Sequence, residues 1–428
     1  MTTQADNTLD FSPISFRIKR IALGATIRFI IQHKRSLCPP ISLSIYEAHL
    51  SQRHSSHNAG YTTLSKCLYL WEWANRANIN LDSIFLKGET LEPRQVNAFS
   101  AWLKHRGSSR TGKRIDTTVI NSVLGHVSVA IRWFAEQYVS ISGSHAGERA
   151  MNIQIYKEAI KASFADHRIK ERKKRFADDL AEEDIATIEQ FLKPANRLKE
   201  KPGISQAQVT RDYLIWRLAI EFGLREGEIL AMRLEDCPHR GQDYIKIVRI
   251  EDRDFNYVDP RGVYAPRPKT LSRELGFILS NSPIPKLITD YTTKCRRRRV
   301  VKHGRKVYQP ILDNPAFLIL SHHHDKGSPL SVSSMLDIAE TIQKETGIIR
   351  FRWHLARHAF FNRAYGAVID LKEKNSELYT DRLRDLVYWG GWESEKSLQL
   401  YINRARRERA QTALSLYQEG GVKWEALK

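Results

Sequence analysis

The segment TTVINSVLGHVSVAIRWFAEQY, residues 117–138, repeats apolar residues three and four apart over about five turns. A stripe of that period has to be buried against other elements, which commits the surrounding chain to helix packing. The same period recurs in TLSKCLYLWEWANRA and in LEPRQVNAFSAWLKHR, where a proline stands near the first turn, a position helices tolerate. These segments predict a small helical domain over residues 41–165. Between the last two helices lies KHRGSSRTGKR, with Lys104, Arg106, Arg110, Lys113 and Arg114 in a flexible basic loop suited to lying along a phosphate backbone.

Charge matters next, because it selects partners. The 428 residues carry 68 Lys and Arg against 48 Asp and Glu, a formal charge of +20. Such a surplus favours a polyanionic partner; the plainer alternative is a basic protein with no nucleic-acid role. The basic residues concentrate in HRIKERKKRF, where Arg168, Lys170, Arg172, Lys173, Lys174 and Arg175 surround one acid, Glu171. A charge run is commonly a solvated face. Here it separates two domains, so residues 166–180 read as a linker that also touches phosphates. Residues 1–40 read as an extension, and FRIKRIALGATIRFIIQHKR suits a helix, either basic and amphipathic or packed on the neighbouring domain. No apolar run approaches the roughly 18 residues of a membrane span. Cys38, Cys67, Cys237 and Cys295 show no CxxC spacing, and no signal-peptide pattern opens the chain, so a reducing cytoplasm is the expected location.

A second domain is expected over 181–403, followed by a helical tail over 404–428. Its patterns are mostly helical, in RDYLIWRLAIEF, EGEILAMRL, IPKLITDYTTKCRRRR, SVSSMLDIAETIQKET, HLARHAFFNRAYGA, YTDRLRDLVYWG and SEKSLQLYINRARRERAQTALSLY. YIKIVRI has strand character, and RPKTLSRELGFIL reads as a hairpin turning near Leu271 and Ser272. The fold class is therefore mainly α with a small antiparallel β-sheet. Arg296, Arg297, Arg298 and Arg299, in KCRRRRVVKHGRK, are expected at a helix end and loop facing the polyanion. The run His322, His323, His324 and Asp325 reads as a surface loop, since metal ligands come from separate elements rather than consecutive residues.

RWHLARHAFF sets His354, Arg357 and His358 three and four apart, on one helical face. That cluster is a satisfied structural group, a metal site or an anion holder. Arg225 follows Gly223 and Leu224 at a helix start, where free N–H groups and the helix dipole favour an anion, and Glu228 is close enough to orient it.

GLREGEILAMRLED, RPKTLSREL, HLARH and GGWESEKSLQLY occur in this order. The joint pattern resembles the tyrosine recombinases, the phage-integrase family, over about residues 181–403. The helical first domain is similar in kind to that family's core-binding domain, and the second to its α+β catalytic domain. The resemblance assigns Arg225 as the first catalytic arginine and Lys269 as the lysine of the mobile hairpin. His354 and Arg357 fill the HxxR motif, and His358 extends it. Trp392 takes the His-or-Trp position, and Tyr401, nine residues on, is the nucleophile. Three departures are visible: HLARH carries Ala356 where leucine is usual, GGW replaces LGH, and the stretch before Lys269 is long. Tyr379, Tyr388 and Tyr417 lack the spacing and read as packing residues.

The residue types suit the chemistry. Arginines donate in bidentate fashion to phosphate and stay charged. A histidine and an indole N–H add donors, and a lysine can protonate a departing 5′ oxygen. A phenol, ordinarily titrating near pH 10, needs a base or a positive field. The resemblance implies double-stranded DNA with recombination sites as substrate, a phosphotyrosine intermediate, and no cofactor, metal or ATP. It further implies a C-shaped clamp of two domains, a homo-tetramer on DNA, a tail docking on a neighbour, and accessory DNA-bending or directionality proteins as partners. A type IB topoisomerase shares the chemistry but would relax supercoils as a monomer; the helical first domain and the tail favour recombination. A non-catalytic architectural protein is the rival from another class, and intact Arg225, Lys269, Arg357 and Tyr401 argue against it.

Overall fold

Phe16–Leu23 and Thr26–His33 form two antiparallel strands, β1 and β2, paired from Phe16↔His33 to Leu23↔Thr26. The expected helix in this extension is thus corrected to a β-ribbon. The cause is the period: Phe16, Ile27, Phe29 and Ile31 are buried while Arg17 and Lys19 are exposed, an alternation of two in an isoleucine-rich segment. The ribbon is tied to the helices that follow. Buried Glu47 accepts from Arg28 Nη2 at 2.7 Å and from the Phe29 N–H at 2.9 Å, and Glu72 accepts from the Ser15 N–H at 2.6 Å.

The computed structural model describes residues 14–415 except 24–25, 54–56, 108–112, 139–145, 171–179, 202, 239–242, 255–257, 278–281, 303–304, 311–316, 323–326, 370, 400, 403–405, 408–409 and 412–413. The chain divides into two units, residues 1–173 and 174–428. In the first unit the ribbon is followed by α1 (Ile41–Arg53), α2 (His57–Arg76), α3 (Leu81–Leu86), α4 (Pro93–His105), α5 (Thr117–Tyr138) and α6 (Ala146–Asp166). Helix α5 is the axis of this unit. Its Ile120, Val123, Leu124, Val127, Ile131 and Phe134 are buried at helical spacing, and Phe134 stacks on Phe85 with ring centroids 4.9 Å apart.

The second unit opens with α7 (Glu182–Leu192), α8 (Pro194–Glu200), α9 (Gln206–Phe222) and α10 (Glu226–Ala231). Strand β3 (Tyr244–Ile247) pairs with β4 (Arg273–Gly276), antiparallel, from Tyr244↔Gly276 to Ile247↔Arg273. There follow α11 (Ile284–Asp290), β5 (Arg297–Lys302), β6 (Arg305–Pro310), α12 (Val332–Thr346), α13 (Trp353–Ile369), α14 (Leu371–Lys374), α15 (Ser376–Gly390) and α16 (Glu395–Leu398). Helix α9 is buried on all sides, with Leu214, Ile215, Trp216, Leu218 and Ala219 inaccessible, as suits a helix at the centre of a core. Among the described residues the sheets are three antiparallel pairs, so the class is mainly α with small antiparallel sheets: a helical unit and an α+β unit.

Two local expectations change. The turn expected at Leu271 and Ser272 does not close a hairpin. These residues lead into β4, and the β3–β4 connection runs over 248–272 through short helical turns at Ile250–Asp252 and Gly262–Tyr264. Side chains, not a tight turn, fix this connection: Arg253 pairs with Asp236, and Arg261 donates to Asp259 at 2.8 Å and to the Leu330 carbonyl at 2.8 Å. Of the four consecutive arginines only Arg296 stands at a helix end. A π-helical turn, Tyr291–Cys295, stops α11, and Arg297–Arg299 belong to β5, paired with Pro310, Gln309 and Tyr308 of β6. The β-branched Val300 and Val301 that follow favour the strand.

Candidate active site

The site grows from the end of α9. Gly223 adopts φ +63°, and a Cβ there would lie 2.5 Å from Phe360 Cδ1, so a glycine is needed to stop the helix against α13. The turn presents Arg225 as the residue before α10. Its backbone N–H donates to Glu228 Oε2 at 2.7 Å, closing the first turn. The Arg225 guanidinium then reaches Tyr401, with Nη2 3.5 Å from the phenolic oxygen across 176 residues of sequence.

Glu228 is fully buried and is the hub of the cluster. It accepts from the Thr270 hydroxyl and from Arg273 Nη2 at 3.0 Å, and Arg357 Nη1 lies 3.8 Å away. Burial alone would raise its carboxyl; Arg273, Arg357, Thr270 and the Arg225 N–H outweigh burial and hold it below the usual range. Arg273 also donates to the carbonyls of Trp389 at 2.7 Å and Leu271 at 3.1 Å, so it ties β4 to the end of α15. Helix α15 ends at Gly391, φ +62°, where a Cβ would meet Arg273 Nη1 at 2.6 Å. This turn delivers Trp392.

Arg357 is fully buried on α13. Nη1 donates to the Gly223 carbonyl at 2.6 Å and Nη2 to the Gly390 carbonyl at 2.8 Å. Its guanidinium lies over Phe361 (4.8 Å), Trp392 (4.9 Å) and Tyr401 (5.4 Å). Burial pushes its pKa down to about 10, Glu228 pulling the other way. Each Nη thus spends one of its two N–H donors on a backbone carbonyl. Within this cluster two buried donors have no hydrogen-bond partner among the described residues, Arg225 Nη1, which lies 3.9 Å from Glu228 Oε1, and Arg357 Nε. Unused charged donors beside a phenol are what an incoming anion would complete.

Tyr401 itself is buried among rings. Its centroid lies 4.4 Å from His358, 5.0 Å from Trp392, 5.5 Å from His354 and 5.7 Å from Phe361. Desolvation lowers both imidazoles, with Arg357 and Arg225 adding to it at His354, and His354 and Arg357 at His358, which falls to about 4. Both rings are neutral at pH 7. His354, His358, Arg225, Glu228, Arg357, Trp392 and Tyr401 thus converge. Lys269 is exposed in the lead-in to β4, and its neighbour Thr270 is bonded to Glu228.

Arg273 was missed by sequence reasoning. The signal was there: on a strand that alternates buried and exposed, it shares the inward face with Leu275, and a cation at an inward position demands a buried acid. Tyr388 is exposed rather than packed, its oxygen accepting from the Glu274 N–H at 3.1 Å, and Tyr417 lies outside the described residues.

The expected basic contacts are placed unevenly. Lys113, Arg114, Arg168 and Lys170 are exposed and Lys104 is half-buried. Arg106 and Arg296 are buried, which corrects the expectation that they face phosphates: Arg106 ends α4 over the Trp102 ring, and Arg296 follows the π turn. Arg110, Arg172, Lys173, Lys174 and Arg175 lie outside the described residues, as do His323, His324 and Asp325. Among the described residues no three His, Cys, Asp or Glu side chains gather as metal ligands, and no helix is long and apolar enough to cross a membrane.

No family model matches the chain. Transposase A from transposon Tn554 of Staphylococcus aureus is 25% identical over 268 residues, 61% of this chain and 63% of its own length; copies from strains Mu50 and N315 match alike. The chain thus spans less than two thirds of the curated relatives it matches. Among solved structures, a lambda integrase dimer bound to a COC′ core site covers 85% of this chain and 77% of its own, at 14% identity and TM-score 0.46. The XerH site-specific recombinase bound to palindromic difH substrate covers 88% and 95%, at 13% identity and TM-score 0.40. In the order of its motifs, and in the residues its fold gathers around Tyr401, the chain is similar to the tyrosine recombinases of the phage-integrase family.

Proposed function

We propose that the chain is a site-specific DNA recombinase that cuts and rejoins duplex DNA through a 3′-phosphotyrosine. One observation carries this reading: the phenolic oxygen of Tyr401 lies 3.5 Å from Arg225 Nη2, beside two neutral imidazoles and two unused charged donors. A relative named as a transposase supports the same class of substrate.

The scissile phosphate would sit against the partly exposed Arg225 guanidinium, and would have to open the packing over Arg357 to reach its Nε. Charge builds on its oxygens as the Tyr401 oxygen bonds to phosphorus and the bond to the 5′ oxygen breaks. Each preorganised donor of this kind is worth about a hundred- to a thousandfold in rate. A neutral imidazole of the His354–His358 pair accepts the phenolic proton, and Lys269 gives a proton to the departing 5′ oxygen. The new ester conserves the energy of the broken one, so a 5′ hydroxyl from another strand can reverse the step without ATP. Strand exchange between two DNA sites then calls for a tetramer, and Lys113, Arg114, Arg168 and Lys170 are available to hold the backbone.

The test is covalent capture. The full chain is incubated with nicked duplexes of randomised sequence, denatured, and the DNA that remains attached to protein is sequenced. We expect an adduct on a restricted set of sequences, mapped by peptide mass to Tyr401 and absent in Tyr401→Phe. No adduct from the wild type, or an undiminished adduct in Tyr401→Phe, overturns the assignment.

A further inference from the structure

A second basic site lies on the same unit, away from Tyr401. The N-terminal halves of α9 and α12 and the end of α8 enclose a cavity of about 360 Å³. Two of its lining residues are buried arginines, Arg197 on α8 and Arg211 on α9, each with a side chain 8% exposed. Both are spent on one acid: Asp212 Oδ2 accepts from Arg197 Nη1 at 2.6 Å, and Oδ1 accepts from Arg211 Nη2 at 2.7 Å and Nε at 2.9 Å. One carboxylate cannot neutralise two guanidiniums. Lys201, at the rim and exposed, adds a third cation; Asp337 on α12 is the only other acid in the lining, so cations outnumber carboxylates by three to two.

Uncompensated charge removed from water is costly unless a partner completes it. Three of the ten N–H donors on the two guanidiniums are used in these bonds. The remaining wall carries polar side chains, among them Gln208, Ser321, Ser334 and Thr341; the N–H groups of Gln208 and Ser334 are already capped by Ser205 and Ser331. Arg211 precedes Phe222, at the active-site end of α9, by roughly 17 Å of helix, so the cavity is a separate site from the cluster around Tyr401.

We propose that this cavity binds a small phosphomonoester or free phosphate, held by Arg197 and Arg211 with Lys201 at the entrance. A phosphate supplies acceptor oxygens for the guanidinium donors and negative charge against the surplus cation that Asp212 and Asp337 leave. The volume, at the low end for small-molecule sites, suits a mononucleotide or smaller. A backbone diester, singly charged and continuous on both sides, fits it less well.

The experiment is calorimetric titration of the full-length protein with inorganic phosphate and, separately, adenosine monophosphate at fixed ionic strength. The proposed active site also attracts anions, so every titration is repeated in Arg225→Ala. We expect saturable binding that persists in Arg225→Ala, weakens about tenfold in Arg211→Lys, which keeps the charge and loses the fork, and weakens several-fold in Lys201→Ala, whose exposed side chain is not needed for folding. Adenosine monophosphate binding tighter than phosphate would identify a mononucleotide; equal binding would identify the phosphate group alone. Absence of saturable binding, loss of binding in Arg225→Ala, or no effect of either pocket variant overturns the proposal. Displacement of the bound anion by short duplex DNA in Arg225→Ala would also overturn it, in favour of a backbone contact.

Discussion

Removal of the Glu228 carboxylate is the sharpest perturbation of the site. In Glu228→Ala the Arg225 N–H, the Thr270 hydroxyl and Arg273 Nη2 lose their acceptor, and Arg273, with a side chain 1% exposed, keeps its charge without a counter-ion. Breaking a buried pair by deleting one partner costs about 3–5 kcal/mol. Glu228→Gln retains an acceptor oxygen and removes only the charge, for a loss of about 2 kcal/mol. The pH dependence follows from the direction of the shift. The folded carboxyl titrates below its unfolded value, so its contribution is complete above about pH 4.5 and is lost as pH falls through the folded value. The gap between wild type and Glu228→Ala should therefore be full at pH 7 and narrow in acid. Urea unfolding at a series of pH values measures it, and hydrogen exchange in peptides spanning 223–232 localises it. A loss under about 1 kcal/mol, or a gap that does not change between pH 7 and the acid limit of folding, would refute the charge-hub reasoning.

Three further outcomes are expected. Arg273→Met should destabilise by about 3–5 kcal/mol, and its combination with Glu228→Gln should cost clearly less than the sum, because both remove one pair; a double-mutant cycle in urea decides it. The His358 imidazole is depressed to about 4, mainly by desolvation, so protonation favours the unfolded chain; stability should fall as pH drops from about 6.5 toward 4, and His358→Phe should flatten that part of the profile. If Lys113, Arg114, Arg168 and Lys170, all exposed, contact phosphates, each change to alanine should reduce the slope of log binding constant against log salt by about 0.9, measured by fluorescence anisotropy on duplex DNA.

What the sequence made legible follows physical range. Helices with a continuous apolar stripe, α5 above all, are local and were readable. That the residues around Tyr401 would gather was readable from the order and spacing of four motifs, whatever the fold does between them. The ribbon over 16–33 was misread because its basic residues share both a helical and a strand pattern; only the strict alternation of Phe16 and Ile27, Phe29, Ile31 decides for the strand. The arginines of β5 were misread because a charge run has no period, so the π turn that stops α11 could not be seen. Arg273 was passed over because its partner Glu228 is 45 residues away, and a buried ion pair is written in two places at once.

Arg357 fastens two helix ends. By donating to the Gly223 and Gly390 carbonyls it satisfies acceptors at the end of α9 and at the end of α15, which helices leave open. If the chain cleaves DNA as proposed, a genetic screen would score loss of this side chain as inactive for two inseparable reasons, the lost cation and two pocket halves that drift apart. Reversion would be expected to arise more easily at sites that re-brace those helix ends than at positions near the phenol.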